Sequence, residues 1–150
     1  MDIKSKEKRS KNMAKIRSKN TRPEKYIRSA LFKNKFRFRV NYDVIEGHPD
    51  IYLTKAKVAI FVHGCYWHRH NGCQYAYTPK SNVNFWLSKF TTNKKRDTIV
   101  YETLCNKGIR VLVIWECTVR RMWRDNEIHS GVIAQIEDFI LADNLQYLEL

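Results

Sequence analysis

The spacing of apolar residues changes along the chain from a helical period to short, strand-like runs. Apolar positions recur at helical spacing from residue 21 to about residue 33, where Thr21 suits the N-cap and Pro23 an early helical position, so a first helix is predicted there. Apolar and basic residues alternate over residues 36–40, which is typical of a strand with one buried face. Residues 41–47 then form a connection.

More apolar runs in the rest of the chain predict the core strands. Residues 50–53 and 58–62 flank a short turn and predict a hairpin, and residues 109–116 are the strongest buried-strand signal. Helical spacing returns at about residues 81–106 and at residues 127–143. The order helix, three strands, loop, helix, strand, helix predicts an α/β fold with a mixed β-sheet flanked by helices.

Positive charge is concentrated at the start of the chain. The 150 residues carry a formal net charge of +13, and residues 1–39 hold 15 Lys and Arg against 3 Asp and Glu. We therefore predict a basic N-terminal arm at residues 1–20, followed by a single domain at residues 21–150. Such an arm favours a DNA partner, because each phosphate that it neutralises releases counterions. The alternative is a disordered tail that only keeps the protein soluble.

The sequence has no segment apolar and long enough to cross a bilayer, and no secretion signal at its start. A cytoplasmic protein without a membrane partner is expected. In a reducing compartment the four cysteines are expected to bind metal or to pack in the core rather than to form disulfides. Cys105 is assigned to packing.

Cysteine and histidine are unusually dense between His63 and Cys73, an eleven-residue segment. Thiolates and imidazoles are the ligands that zinc prefers, and three of these residues are close enough along the chain to surround one ion. The predicted zinc ligands are Cys65, His70 and Cys73, with Cys117 as the fourth. The alternative is a set of buried cysteines and surface histidines without a metal.

The order of elements, together with Pro49-Asp50 at the start of a strand, resembles the core of the restriction-endonuclease-like nucleases. In that fold an acidic residue and a lysine follow on the next strand and complete the metal site. This chain has Phe61 and His63 at those two positions. By the common motif alone, an inactive member of the fold would be expected.

A more specific resemblance extends from about residue 9 to residue 120, in order and with compatible spacing. The sequence resembles the very short patch repair endonucleases in Arg9-Ser10-Lys11-Asn12-Met13, Glu24-Lys25, Gly47-His48-Pro49-Asp50, Phe61-Val62-His63-Gly64-Cys65-Tyr66-Trp67-His68, Phe85-Trp86-Leu87, Lys94-Lys95-Arg96-Asp97 and Arg110-Val111-Leu112-Val113-Ile114-Trp115-Glu116-Cys117. The resemblance implies a magnesium-dependent bacterial enzyme that nicks DNA on the 5′ side of a thymine mispaired with guanine. Such a nick initiates the repair of deaminated 5-methylcytosine.

The resemblance also implies roles for individual residues. Asp50 matches the acid that binds magnesium, and Val62 matches a position that offers its backbone carbonyl to the same ion. His68 matches the histidine that acts on the phosphate or on its attacking water, and His63 an auxiliary histidine. Glu24 matches an acid that orders water beside the metal. Two carboxylates and two histidines would suffice for hydrolysis of a phosphodiester, which needs a Lewis acid, a base and an acid.

The same resemblance implies the zinc ligands Cys65, His70, Cys73 and Cys117. His68 in place of His70 is the alternative ligand set. That exchange would remove the histidine matched to catalysis, so His70 is favoured. The resemblance further implies a monomer, associated with the bacterial nucleoid, and a mismatch-repair protein as a second partner.

Aromatic residues provide a physical basis for recognising a mismatch. A T:G pair stacks less well than its neighbours, so inserting rings beside it costs less than separating matched bases. The resemblance implies insertion of Tyr66, Trp67 and Trp86 from the major groove and of Met13 from the minor groove. The alternative, packing in the core, is the better explanation for Trp115. Phosphate contacts are expected from a group of residues on the helix that carries Trp86, namely Lys89, Asn93, Lys94, Lys95 and Arg96.

Two other functions are compatible with parts of the sequence. A zinc-containing DNA-binding module without catalysis would explain the basic arm and the missing acidic residue and lysine. A related restriction enzyme, which cuts both strands of matched DNA, would explain the fold. The aromatic residues favour the mismatch-specific nicking enzyme over both.

Overall fold

A computed structural model describes residues 5–8 and 19–150 of the chain. Most of the predicted basic arm, including Met13, therefore lies outside the described residues. Within residues 19–150, nine elements follow in the order α1 Arg22–Lys33, β1 Arg39–Val40, β2 Ile51–Leu53, β3 Val58–His63, α2 Val83–Asn106, β4 Arg110–Trp115, α3 Glu116–Arg124, α4 Asn126–Ala142 and β5 Tyr147–Glu149. Within this part of the chain, no helix combines the length and apolar character needed to span a membrane.

The five strands form one mixed sheet in the order β1-β2-β3-β4-β5. Strands β1, β2 and β3 are antiparallel neighbours, whereas β4 is parallel to both β3 and β5. The predicted hairpin of residues 50–53 and 58–62 is confirmed as β2 and β3. Helix α2 makes the crossover from β3 to β4, as a parallel pair requires. The predicted α/β fold with a mixed sheet flanked by helices is confirmed.

The core lies on both faces of the sheet, which explains why the central strands are apolar throughout. Every residue of β3 and β4 is buried. On one face Ile60, Leu112 and Ile114 pack with residues of α1, α3 and α4. On the other face Phe61 and Val113 pack with Leu104 of α2 and with the residues around it. Alternate residues of each strand therefore serve opposite faces.

The first helix begins where the sequence predicted. The Thr21 side chain accepts a hydrogen bond from the Glu24 amide at 3.4 Å, Pro23 occupies the first turn, and Glu24 lies at the positive end of the helix dipole. Helix α1 ends at Lys33. Its start places Glu24, a predicted site residue, in clefts that Val62 and His63 of β3 also line.

Three predictions of secondary structure were wrong or incomplete. The strand predicted at residues 36–40 is limited to Arg39–Val40, because the chain leaves α1 through Lys35 at a φ of 68° and the Phe36 amide still donates to the Leu31 carbonyl. Helix α3 and strand β5 were not predicted. Helix α3 is rich in arginine and has only three buried residues. Strand β5 has three residues and depends on pairing with β4.

Candidate active site and metal centre

Strands β2 and β3 bring the predicted catalytic residues to one end of the sheet. Because these strands are antiparallel, the start of β2 lies beside the end of β3, and the Asp50 carboxylate accepts a hydrogen bond from the Val62 amide at 2.7 Å. His63 is the last residue of β3. Two clefts of about 820 Å³ and 500 Å³ meet there. Both clefts are lined by Glu24, Val62, His63, His68 and Arg96.

The turn before Asp50 requires a glycine. Gly47 has a φ of +77°, and a Cβ atom at this position would lie 2.3 Å from Cγ1 of Val100 in α2. His48 follows in a left-handed conformation, with a φ of 47°. Glycine therefore allows the connection to pass close to α2, and Pro49 then directs Asp50 into the start of β2.

Asp50 is a carboxylate in an environment that disfavours its charge. Burial raises its pKa to about 7, and the neighbouring Glu24 carboxylate acts in the same direction, against the Val62 amide and the Arg28 guanidinium. Two acidic side chains in a partly closed cleft form an oxygen-rich site whose repulsion a divalent cation would relieve. The residues present therefore fit a hard divalent cation.

Glu24 is held by a network that fixes its orientation. Its side chain is buried, with a residue exposure of 2%, and Oε2 accepts hydrogen bonds from the Asn20 amide at 2.8 Å and from Arg28 Nη2 at 3.2 Å. Arg28 also donates to the backbone carbonyl of Asp50 at 3.2 Å. The guanidinium thus connects α1 to the start of β2 and keeps the two acidic residues on the same side of the site.

His63 and His68 form a stacked pair above these acids. Their ring centroids are 3.6 Å apart and their planes differ by 8°. His68 Nδ1 lies 2.6 Å from Oδ2 of Asp97 in α2, a residue to which no role was assigned from the sequence. His63 is almost completely buried, and burial, reinforced by His68, lowers its pKa well below the usual value. Of the two rings, that of His68 is the more exposed.

The stacking argues against a metal ion between the two histidines. Ligand atoms of His63, His68 and Asp97 lie within 4.8 Å of one another, which is close enough to consider one. An imidazole lone pair lies in the plane of its ring, however, and two nearly parallel planes 3.6 Å apart cannot both contain one ion at a distance of about 2.0 Å. His68 forms a hydrogen bond with Asp97 instead, and His63 stacks on His68.

The structure brings the four predicted zinc ligands together. Ligand atoms of Cys65, His70, Cys73 and Cys117 lie within 4.8 Å of one another. His70 Nδ1 is 3.7 Å from the Cys65 sulfur and 3.3 Å from the Cys117 sulfur. A tetrahedral zinc ion would separate such atoms by about 3.5 Å. The four residues could therefore hold a metal ion, and His68, bonded to Asp97, is not among them.

Burial raises the pKa of the Cys65 and Cys117 thiols, so both are neutral when no cation is present. A bound cation would displace their protons, which couples metal binding to pH. Cys105 lies outside this cluster. Its thiol is 3.7 Å from the Gln146 carbonyl, and its side chain packs at the edge of the core, in agreement with the predicted packing role.

The loop between β3 and α2 is compact because it bonds to itself. The His68 amide donates to Gly64 and the His70 amide to Cys65, both at about 3 Å. The Arg69 guanidinium donates to several backbone carbonyls of the same loop, those of Tyr66, Ala76 and Tyr77. Trp115 is buried and stacks on His70 at 4.3 Å, which supports a core role for this tryptophan.

The three predicted wedge residues form one aromatic cluster. Ring centroids are 5.0 Å apart for Tyr66 and Trp67, and 5.9 Å apart for Trp67 and Trp86. Trp67 lines the larger cleft together with Lys89, Asn93 and Arg96, whereas Lys94 and Lys95 line neither cleft. Asn93 Nδ2 also donates to the Trp67 carbonyl at 3.2 Å, and Lys89 lies above the Trp67 ring.

Helix α2 carries a polar stripe, of which the sequence identified Lys89 and Asn93 but not Asp97 and Tyr101. Lys89, Asn93, Asp97 and Tyr101 follow one another at intervals of four residues, so they share one face of the helix. All four line one or the other cleft. The periodicity of polar residues on this helix was the signal that could have identified Asp97 and Tyr101.

Comparison with known proteins identifies the family of the chain. Residues 1–74 match the family model described as DNA mismatch endonuclease Vsr. The chain is 42% identical over 140 residues to V.NmeAIP, a type II nicking enzyme of Neisseria meningitidis. The alignment covers 93% of this chain and 99% of that protein. It is 34% identical over 142 residues to the DNA mismatch endonuclease Vsr of Escherichia coli, covering 95% of this chain and 89% of that protein.

The fold has a relative among solved structures. The catalytic domain of the homing endonuclease I-Bth0305I superposes with a TM-score of 0.53 and 25% identity, covering 84% of this chain and all of that domain. The restriction-endonuclease-like fold predicted from the sequence is thereby confirmed. With these relatives matched over most of its length, the chain belongs to the Vsr family of DNA mismatch endonucleases.

Proposed function

We propose that this chain nicks the thymine strand of duplex DNA on the 5′ side of a thymine mispaired with guanine, and so starts the repair of deaminated 5-methylcytosine. The observation that carries the proposal is the convergence of Asp50, Glu24 and the His63–His68 pair at the junction of two clefts in a member of a mismatch endonuclease family. We further propose that the enzyme acts as a monomer in the bacterial cytoplasm, at the nucleoid, with a mismatch-repair protein as a second partner.

Magnesium is the proposed catalytic cofactor. Asp50 and the backbone carbonyl of Val62 would hold it, and Glu24 would order water beside it. When bound, a divalent cation neutralises the negative charge that develops on the scissile phosphate. The raised pKa of Asp50 supports this assignment, because burial and the Glu24 carboxylate disfavour its charge and a bound cation would offset both effects.

His68 is the proposed proton-transfer group. The short contact between its Nδ1 atom and Asp97 leaves Nε2 as the nitrogen that is free to exchange a proton with the phosphate or with water. The Asp97 carboxylate also stabilises the imidazolium that forms when His68 accepts a proton. His63 supports the ring of His68 from one side through the stack.

Asp97→Asn is expected to reduce the nicking rate by about a hundredfold, the usual size of a general acid–base contribution. The reason is that an amide can accept the Nδ1 hydrogen bond but cannot stabilise a positive ring. Single-turnover nicking of a T:G duplex, with protein in excess, measures the effect. Glu102→Gln, an exposed acid on the same helix, is the matched control. Equal rates for Asp97→Asn and wild type would remove Asp97 from the reaction.

Zinc is the proposed structural cofactor, held by Cys65, His70, Cys73 and Cys117. The distances from His70 Nδ1 to the Cys65 and Cys117 sulfurs are close to those in a tetrahedral zinc site and support zinc, and the position of the cluster explains its use. It connects the loop that carries His68 to the start of α3. Without that connection the loop would lose the support that keeps His68 near Asp97.

Tyr66, Trp67 and Trp86 are the proposed wedge at the mismatch, with Met13 approaching from the other groove. Lys89, Asn93 and Arg96 would contact phosphates along the larger cleft, which they line. Lys94 and Lys95 are exposed and outside the clefts, so we assign them to the more distant backbone.

Trp67→Ala is expected to lower the preference for T:G over matched duplex by about tenfold, because stacking of a base on an aromatic ring contributes ~1–3 kcal/mol. Competition binding with labelled T:G and unlabelled C:G duplexes measures the preference. Phe32→Ala removes an exposed ring far from the clefts and serves as control. An unchanged preference in Trp67→Ala would exclude the wedge.

The proposed function is tested with duplexes labelled at one end of either strand, with and without a T:G pair. In magnesium we expect a single product from the thymine strand, ending immediately 5′ of the mispaired thymine, and no product from matched DNA. Cleavage of both strands of matched DNA would indicate a restriction enzyme. Binding of the mismatch without any nick would indicate a DNA-binding module without catalysis.

A further inference from the structure

Tyr101 makes a polar contact with the buried histidine of the active site. Its hydroxyl oxygen lies 3.0 Å from His63 Nδ1, while the same oxygen is 3.5 Å from Nε2. The ring of Tyr101 packs between Phe61 and Tyr147, with centroid distances of 5.5 Å and 5.6 Å. The hydroxyl is therefore directed at one nitrogen of His63 by packing on both sides of the ring.

Helix α2 holds both rings of the histidine stack. Asp97 contacts His68 and Tyr101 contacts His63, and the two contacting residues are one helical turn apart on the same face. The rings that they hold are 3.6 Å apart. Because α2 is a continuous helix of 24 residues, Asp97 and Tyr101 keep a fixed separation, and each contacts one ring of the stack.

The direction of the hydrogen bond between Tyr101 and His63 is linked to the position of the ring proton of His63. His63 is buried, and the group that contacts its Nδ1 atom is a phenol hydroxyl rather than an acid, so a neutral imidazole fits this position. A neutral imidazole has one donor nitrogen and one acceptor nitrogen. When the Tyr101 O–H donates to Nδ1, the ring proton must lie on Nε2.

We propose that Tyr101 is a positioning residue, which holds His63 as the Nε2–H tautomer and, through the ring stack, keeps His68 aligned with the scissile phosphate. The inference rests on the proposed nicking function. It assigns to Tyr101 an effect on the chemical step rather than on DNA affinity, because its hydroxyl contacts His63 and Tyr101 is not among the residues assigned to DNA contacts. If the ring of Tyr101 only filled space in the core, removing its hydroxyl would leave the nicking rate unchanged.

Tyr101→Phe separates these two roles. The variant keeps the ring and loses the donor, so we expect the single-turnover nicking rate on a T:G duplex to fall by about tenfold, the size of one lost hydrogen bond at a reacting group. The dissociation constant for the same duplex, measured in calcium to prevent cleavage, should stay within about twofold. Tyr147→Phe is the matched control, because it removes a hydroxyl from the same aromatic cluster that contacts Glu149 and not His63.

Nuclear magnetic resonance of ¹⁵N-labelled histidine reports the tautomer of His63, which a packing defect alone would not change. Wild type and Tyr147→Phe are expected to give His63 signals of the Nε2–H tautomer, and Tyr101→Phe a mixture of both tautomers or an exchange-broadened signal. A wild-type rate together with an unchanged tautomer in Tyr101→Phe would overturn the inference. If wild type itself does not nick T:G duplexes, the proposed function fails, while the tautomer comparison still decides whether Tyr101 positions His63.

Discussion

Asp50→Asn is expected to abolish nicking and, at the same time, to stabilise the protein above pH 7 when no magnesium is added. The loss of activity should reach at least about a thousandfold, because a bound cation contributes several kcal/mol to the transition state and the amide is a poor ligand. Without any divalent cation, the affinity for the T:G duplex should be unchanged or higher, since the variant removes a negative charge from a site that faces phosphate.

The gain in stability follows from the pKa of Asp50. In the folded protein without magnesium this pKa is about 7, whereas an unfolded aspartate titrates at about 4. The folded state therefore binds its proton more tightly, so wild type loses stability as the pH rises from about 4 to 7. Asparagine has no proton to lose, and its side-chain oxygen can still accept the hydrogen bond of the Val62 amide.

Denaturation of the zinc-loaded protein at pH 6 and pH 8, without magnesium, measures this effect. Relative to Asp50→Asn, wild type should lose about 1 kcal/mol of unfolding free energy between these two pH values. Asp43→Asn changes an exposed acid in the preceding connection and should follow wild type. A pH dependence identical in wild type and Asp50→Asn would mean that the folded protein does not disfavour the charge of Asp50. Full nicking activity of Asp50→Asn would remove it from the mechanism.

Cys117→Ser is expected to remove most of the bound zinc and several kcal/mol of unfolding free energy together, because a structural zinc site is formed only in the folded state. Cys117 lies in the first turn of α3, whereas the other three ligands lie in the loop after β3. Its loss should therefore release the loop from the sheet. Nicking should fall as well, since His68 is carried by that loop.

Cys105→Ser is the matched control for this prediction. It replaces a half-buried thiol by the same hydroxyl but leaves the cluster intact, so its zinc content and nicking should equal those of wild type. Zinc is measured by elemental analysis after gel filtration, and unfolding by denaturant titration. A Cys117→Ser protein with one tightly bound zinc ion and wild-type stability would show that another group is the fourth ligand.

Local sequence features predicted the site better than they predicted the whole sheet. The dense cysteines and histidines after β3 and the Pro49-Asp50 step are short-range patterns, and the structure places both at the end of β3. The hairpin and the long helix α2 were also predictable, because their apolar residues recur with a clear period over many residues.

The remaining features depend on contacts between distant parts of the chain. Strand β5 exists because the backbone of residues 147–149 pairs with β4, and its exposed side chains give no strand pattern. The role of Tyr101 depends on a partner 38 residues earlier in the chain, and that of Asp97 on a partner 29 residues earlier. Side chains of this kind look like ordinary surface residues of a helix until the partner is placed.

The central claim is that Asp50 holds a divalent cation beside the stacked histidines, and anomalous diffraction tests it most directly. Crystals with a T:G duplex and manganese in place of magnesium, measured on both sides of the zinc absorption edge, distinguish the two metals. We predict a zinc peak among Cys65, His70, Cys73 and Cys117, and a manganese peak in contact with the Asp50 carboxylate and the Val62 carbonyl. A manganese ion bound elsewhere, with the Asp50 carboxylate in contact only with the Val62 amide, would contradict the account.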